Sequence, residues 1–126
     1  MLHNAEVAGI CSIKYFDLKQ NRVQNYKFEY DKILDPKGDS GCYLLYMYAR
    51  IISIFNKGGY TEQSIKELAQ THSIKITSPQ ERDLAMMILR LPETIDGVFF
   101  DLQLNKMCKQ LYDVAGCIGS FYRVNK

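Results

Sequence analysis

From Gly41 to Lys57 the chain can form one helix whose apolar residues run almost all the way round it. Leu44, Tyr48, Ile51 and Phe55 make one stripe at helical spacing, and Tyr43, Met47, Arg50 and Ile54 make a second. A helix apolar on most sides needs neighbours on most sides, so it belongs at the centre of a helical bundle. Its ends are written locally. Asp39 or Ser40 can cap the first turn, and Gly58-Gly59 ends the helix because glycine accepts the positive φ that closes it.

The flanking segments read as further helices. Ala5 to Asp17 has helical spacing of Val7, Ile10, Cys11 and Tyr15. Thr61 can cap a short helix to Gln70, with Glu62 favourable in the first turn. Ser78-Pro79-Gln80-Glu81 combines a capping serine, proline at the first helical position and a reciprocal glutamate. That helix runs to Arg90, where Pro92 interrupts it or begins the next turn. The last helix is expected from Val98 to Tyr122. Leu104, Cys108, Leu111, Ala115, Ile118 and Tyr122 alternate in steps of four and three along it. Gly116 and Gly119 weaken this helix but permit close packing.

The chain between the first helix and the central one reads differently. Tyr26, Phe28 and Tyr30 alternate with Asn25, Lys27 and Glu29, a period-two pattern that predicts a short extended segment over 23–30. Asp31 to Leu34 can form one helical turn, and Asp35-Pro36-Lys37-Gly38 is a turn. The expected fold is mainly α, with one short extended segment.

At 126 residues and 47% apolar, the chain suits one domain with a core of its own. No run of eighteen apolar residues occurs, so no membrane span or membrane partner is expected. The start, Met-Leu-His-Asn-Ala-Glu-Val, makes a poor signal peptide. The net charge of +2 permits RNA binding without arguing for it. Cys11, Cys42, Cys108 and Cys117 form no Cys-x-x-Cys pair, and neither His3 nor His72 has metal-ligand spacing to them. Reduced, mostly buried thiols in a cytosol-like compartment follow, with no metal site. No phosphate-loop, dinucleotide or nucleophile-elbow motif is present, so no catalytic or cofactor-binding residue is assigned.

One cluster stands apart. On a helix, Tyr46 lies about 300° and Arg50 about 340° round from Tyr43, so the three share a face. Tyr48 points about 140° away, toward the core stripe. Flat rings beside a guanidinium can stack on unpaired bases and hydrogen-bond to them. The plain structural reading is that aromatics in a buried helix are core, with hydroxyls satisfied at the rim. Tyr122 carries the same ambiguity, for it ends an apolar stripe just before Arg123, Asn125 and Lys126.

Ile13-Lys14-Tyr15-Phe16-Asp17-Leu18 through Asn21-Arg22 resembles the start of the anticodon-binding domain of arginyl-tRNA synthetases, class I enzymes. Asn25-Tyr26-Lys27-Phe28-Glu29-Tyr30-Asp31 resembles the next family block. Gly38-Asp39-Ser40-Gly41, then Tyr43-Leu44, Tyr46 and Arg50-Ile51, is similar to the family's Gly-Asn/Asp-Thr-x-x-Tyr-Leu-x-Tyr helix with its later arginine. Weaker similarity continues through Ile88-Leu89-Arg90-Leu91-Pro92-Glu93 to Tyr122. Cys42, Leu45 and Met47 depart from the usual family residues without removing a tyrosine of the expected face.

The resemblance implies the following. Tyr46 and Tyr122 fall where family tyrosines contact anticodon-loop bases, with Arg50 and Tyr43 nearby. Lys126 falls near another loop-contacting position, where a phosphate contact would replace stacking. Residues 1–22 would be a lead-in helix and linker from a catalytic domain, and 23–126 an anticodon-binding bundle cut short at its C-terminus. The family's nucleotide-binding signature and its closing helices lie outside these residues. This chain alone is therefore expected to be inactive and to need no cofactor. The full-length parent would be a cytoplasmic or organellar arginine–tRNA ligase using ATP and magnesium. The expected partner is tRNA for arginine, and apolar faces opened by truncation would make the chain a homodimer. The alternatives are a free-standing helical module that holds a protein partner, or the equivalent bundle of another class I synthetase such as the cysteine enzyme.

Overall fold

The computed structural model describes residues 2–125 of the chain. Its element order is α1 (Leu2–Leu18), α2 (Tyr30–Ile33), α3 (Gly41–Gly58), α4 (Glu62–Thr71), α5 (Pro79–Leu89), α6 (Leu91–Asp101) and α7 (Leu104–Val124). No strand forms among the described residues. The fold is a bundle in which α7 packs against α1, α3, α5 and α6, while α1 also crosses α3.

The local signals act as their chemistry dictates. Ser40 Oγ accepts from the Tyr43 N–H and starts α3, while Gly59 at φ 70° ends it. Thr61 and Ser64 form a reciprocal capping box on α4, and Ser78 and Glu81 form another on α5. Pro92 sits in the first turn of α6, where its missing N–H costs nothing.

The α1–α3 crossing depends on Gly41. A Cβ there would stand 2.8 Å from the Ser12 Cα, so only glycine lets the two backbones meet this closely. Ser12 Oγ donates to the Ala8 carbonyl at 2.8 Å and lies 3.0 Å from Cys42 Sγ, which satisfies the hydroxyl inside the contact. Tyr15, Phe16, Ile33, Met47, Cys108 and Ala115 form the buried apolar core. Gln110 is buried with them, and its Nε2 donates at 2.6 Å to the Met87 carbonyl. That carbonyl belongs to the last turn of α5, where no intrahelical donor remains.

The period-two segment lies outside any helix, with Glu29 in extended backbone at φ −135° and ψ 113°. Its Tyr26 and Phe28 rings meet Phe16 edge-on at 5.7 and 5.9 Å, so the aromatic side folds onto α1. Three expectations need correction. The expected helix over 98–122 breaks at Leu102, whose φ is 56°, and α6 and α7 are separate. Asp101 holds that corner: its Oδ1 accepts from the Gln103 N–H at 3.0 Å, Lys106 pairs with its carboxylate, and Arg22 donates to its carbonyl at 3.0 Å. Tyr48 is 65% exposed while Met47 is 4% exposed, so the core side of α3 is the Tyr43–Met47–Ile54 stripe. Leu45, Tyr48, Ile52 and Phe55 of α3 are exposed. Of the thiols, Cys108 is buried, and Cys11, Cys42 and Cys117 are half-buried; all four are free.

Candidate nucleic-acid interface

α3 and α7 lie side by side, and the stripe Tyr43–Met47–Arg50 of α3 faces Gly116, Gly119 and Arg123 of α7. Steps of three and four residues put the last three on one face of their helix. Because two of them are glycines, the helices enclose a cleft of about 500 Å³ lined by these residues and Tyr46. A Cβ on Gly116 would meet nothing within 4 Å, so bare backbone forms that part of the floor.

Of the five site residues expected from the sequence, Tyr43, Tyr46 and Arg50 line this cleft, and Tyr122 adjoins it through Arg50. Tyr46 is 55% exposed at the cleft edge. Tyr43 is half-buried, its ring 5.6 Å from that of Tyr112 and tilted by 59°. Burial pushes the Tyr43 hydroxyl above its ordinary value, and the nearby Tyr112 adds to this while Arg50 opposes it. The hydroxyl therefore stays protonated at neutral pH and available as a donor. The Arg50 guanidinium lies over the Tyr122 ring, 4.8 Å from its centroid. Lys126 lies outside the described residues.

Arg123 is not among the site residues expected from the sequence. It is exposed, lines the cleft opposite Arg50, and enters no ion pair among the described residues. The stepped spacing from Gly116 through Gly119 to Arg123 was the available signal.

A second cleft of about 500 Å³ opens on the other side of Tyr43, between α5 and α7. Asp83 and Asp113 line it beside Tyr112 and Cys117. Burial pushes the Cys117 thiol up, and these two carboxylates push it further. The two clefts share Tyr43 and Gly116 but differ in sign. The arginine side attracts an anionic backbone, and the aspartate side repels one. Among the described residues, no group of three or more His, Cys, Asp or Glu could hold a metal ion, and no helix is long and apolar enough to cross a membrane.

Comparison with known proteins fits this geometry. The chain is 42% identical over 97% of its length to the arginine–tRNA ligase of Nostoc sp. (strain PCC 7120), covering 20% of that protein. It is 40% identical over 94% of its length to the cytoplasmic arginine–tRNA ligase of Arabidopsis thaliana, again covering 20%. The solved arginyl-tRNA synthetase of Plasmodium falciparum superposes with a TM-score of 0.79 at 34% identity, over 90% of this chain and 20% of that one. The chain thus spans 20% of the length of the curated relatives it matches. Its residues 44–126 match the family described as the DALR anticodon binding domain, and the chain belongs to that family.

Proposed function

We propose that this chain is the anticodon-reading part of an arginine–tRNA ligase, and that the α3–α7 cleft is the surface that meets the anticodon loop. What supports the reading is the convergence of Tyr43, Tyr46 and Arg50 on one cleft with a cationic rim, with Tyr122 held against Arg50 beside it. Exposed rings can stack on splayed loop bases, and a guanidinium on the rim favours the loop backbone. Lys126 would add a phosphate contact at the chain's end. In the parent enzyme, residues 1–22 would connect a catalytic part to a bundle of residues 23–126. ATP and magnesium would serve the catalytic part, where arginine is activated and transferred. The parent would work in the cytoplasm, with an organelle as the alternative. Charging kinetics of the full-length enzyme test the reading: Tyr46→Ala should raise KM for arginine tRNA, and unchanged kinetics would remove Tyr46 from the site.

We also propose that the chain by itself associates into a homodimer through uncovered apolar faces. Phe99 and Phe100 at the end of α6 are 78% and 93% exposed, which supports association. A strictly monomeric sedimentation profile at high concentration would contradict it.

A further inference from the structure

Two guanidinium groups border the α3–α7 cleft, and they are differently engaged. Arg50 is half-buried, with its guanidinium 4.8 Å from the Tyr122 ring centroid. A guanidinium lying on a ring holds that ring in place and covers one of its faces. Tyr122 itself is half-buried. Arg123 follows Tyr122 in the chain, is exposed on the cleft rim, and covers no ring among the described residues. Neither arginine enters an ion pair among the described residues. Arg50 is therefore committed to an aromatic partner inside the protein, whereas Arg123 keeps all its donors for something outside it. The carboxylates of the neighbouring cleft, Asp83 and Asp113, lie beyond Tyr43 and Gly116. An anionic ligand is thereby directed to the Arg123 side.

We infer that Arg123 contacts a backbone phosphate of the single-stranded loop, and that Arg50 is a positioning residue which fixes Tyr122 without neutralising a phosphate. This rests on the reading of the cleft as an anticodon-loop surface. The two roles separate by salt dependence. Each phosphate neutralised on single-stranded nucleic acid adds about 0.7 to the slope of log affinity against log salt. A positioning residue adds nothing to that slope.

The experiment measures affinity of the 126-residue chain for arginine-acceptor tRNA over a salt series, for the wild type, Arg123→Gln, Arg50→Met, Tyr122→Leu and the double variant Arg50→Met/Tyr122→Leu. Arg123→Gln should lower the slope by about 0.7. Arg50→Met should weaken binding about tenfold, the scale of one lost stacking contact, at an unchanged slope. The double variant should bind no more weakly than Tyr122→Leu alone. Additive losses, or a slope that falls with Arg50→Met and stays with Arg123→Gln, would overturn the assignment. The RNA-free protein gives an independent readout. Arg50→Met should move the Tyr122 ring-proton resonances, and Arg123→Gln should leave them in place. Unmoved resonances in Arg50→Met would overturn the positioning role. If the wild type binds no tRNA at any salt, the phosphate role of Arg123 falls together with the cleft reading, while the ring resonances still decide the role of Arg50.

Discussion

The Tyr15 hydroxyl donates to Asp39 Oδ1 at 2.6 Å and lies 3.1 Å from the Cys108 carbonyl oxygen. One buried group thus ties α1, the turn before α3 and α7 together. Lys19 supports it, its Nζ lying 3.4 Å from Asp39 Oδ2. Asp39 immediately precedes the cap of α3, so this joint fixes the start of the helix that carries Tyr43, Tyr46 and Arg50. Tyr15→Phe keeps the ring and removes the donor. It should lower the unfolding free energy by about 1–3 kcal/mol, as expected when a buried acceptor loses its partner. Urea denaturation of the two proteins measures the difference.

The same hydroxyl predicts a response to alkali. Burial, and then the hydrogen bond to Asp39, raise its pKa well above the ordinary 10.0. The contribution is complete below pH 10, where both states hold the proton. Above that, the unfolded chain ionises while the folded one does not, so stability falls as pH rises. The fall should be shallower in Tyr15→Phe than in the wild type. Parallel stability curves from pH 9 to pH 11 would contradict the account.

Two glycines should behave oppositely. Gly41→Ala places a methyl 2.8 Å from the Ser12 backbone and should destabilise by about 1–3 kcal/mol through overpacking of the α1–α3 crossing. Gly116→Ala meets nothing within 4 Å and should stabilise α7 by roughly 1 kcal/mol through helix propensity. Its methyl also enters the cleft floor, so tRNA affinity should fall while stability rises. Paired thermal melts and tRNA titrations separate the two effects.

The contrast between α5 and the segment over 23–30 explains how much was legible in the sequence. Ser78, Pro79 and Glu81 act on backbone groups within one turn, so their pattern fixes the start of α5 without reference to the rest of the fold. The same is true of Ser40 and Gly59 at the ends of α3. The alternation of Tyr26, Phe28 and Tyr30 reports only that one side is apolar. Whether that side meets a strand or the ring of Phe16 depends on residues distant in the sequence. Leu102 breaks the last helix through contacts of Asp101 with Arg22 and Lys106, the first of them far away in the chain. Tyr43, Tyr46 and Arg50 could be grouped because they share one helix. That Tyr122 and Arg123 join them depends on how α7 lies against α3, which spacing alone does not encode.

Glu81 gives a prediction at acid pH. The backbone N–H groups of Thr77 and Ser78 hold its carboxyl below the ordinary 4.5. Its contribution to α5 is therefore present above pH 4.5 and is lost as pH falls through the lower folded value. The Thr77 and Ser78 amide resonances should titrate with a midpoint below 4.5, and that titration should vanish in Glu81→Gln. A midpoint above 4.5 would contradict the capping box as the cause.

Titrating the chain with arginine-acceptor tRNA and with a non-cognate tRNA, at low and moderate salt, decides whether the α3–α7 face reads an anticodon loop. The arginine acceptor should bind more tightly, and Tyr46→Ala should weaken that binding by about 1–3 kcal/mol as one stacked base is lost. Equal affinity for the two tRNAs, unchanged by Tyr46→Ala, would contradict that reading.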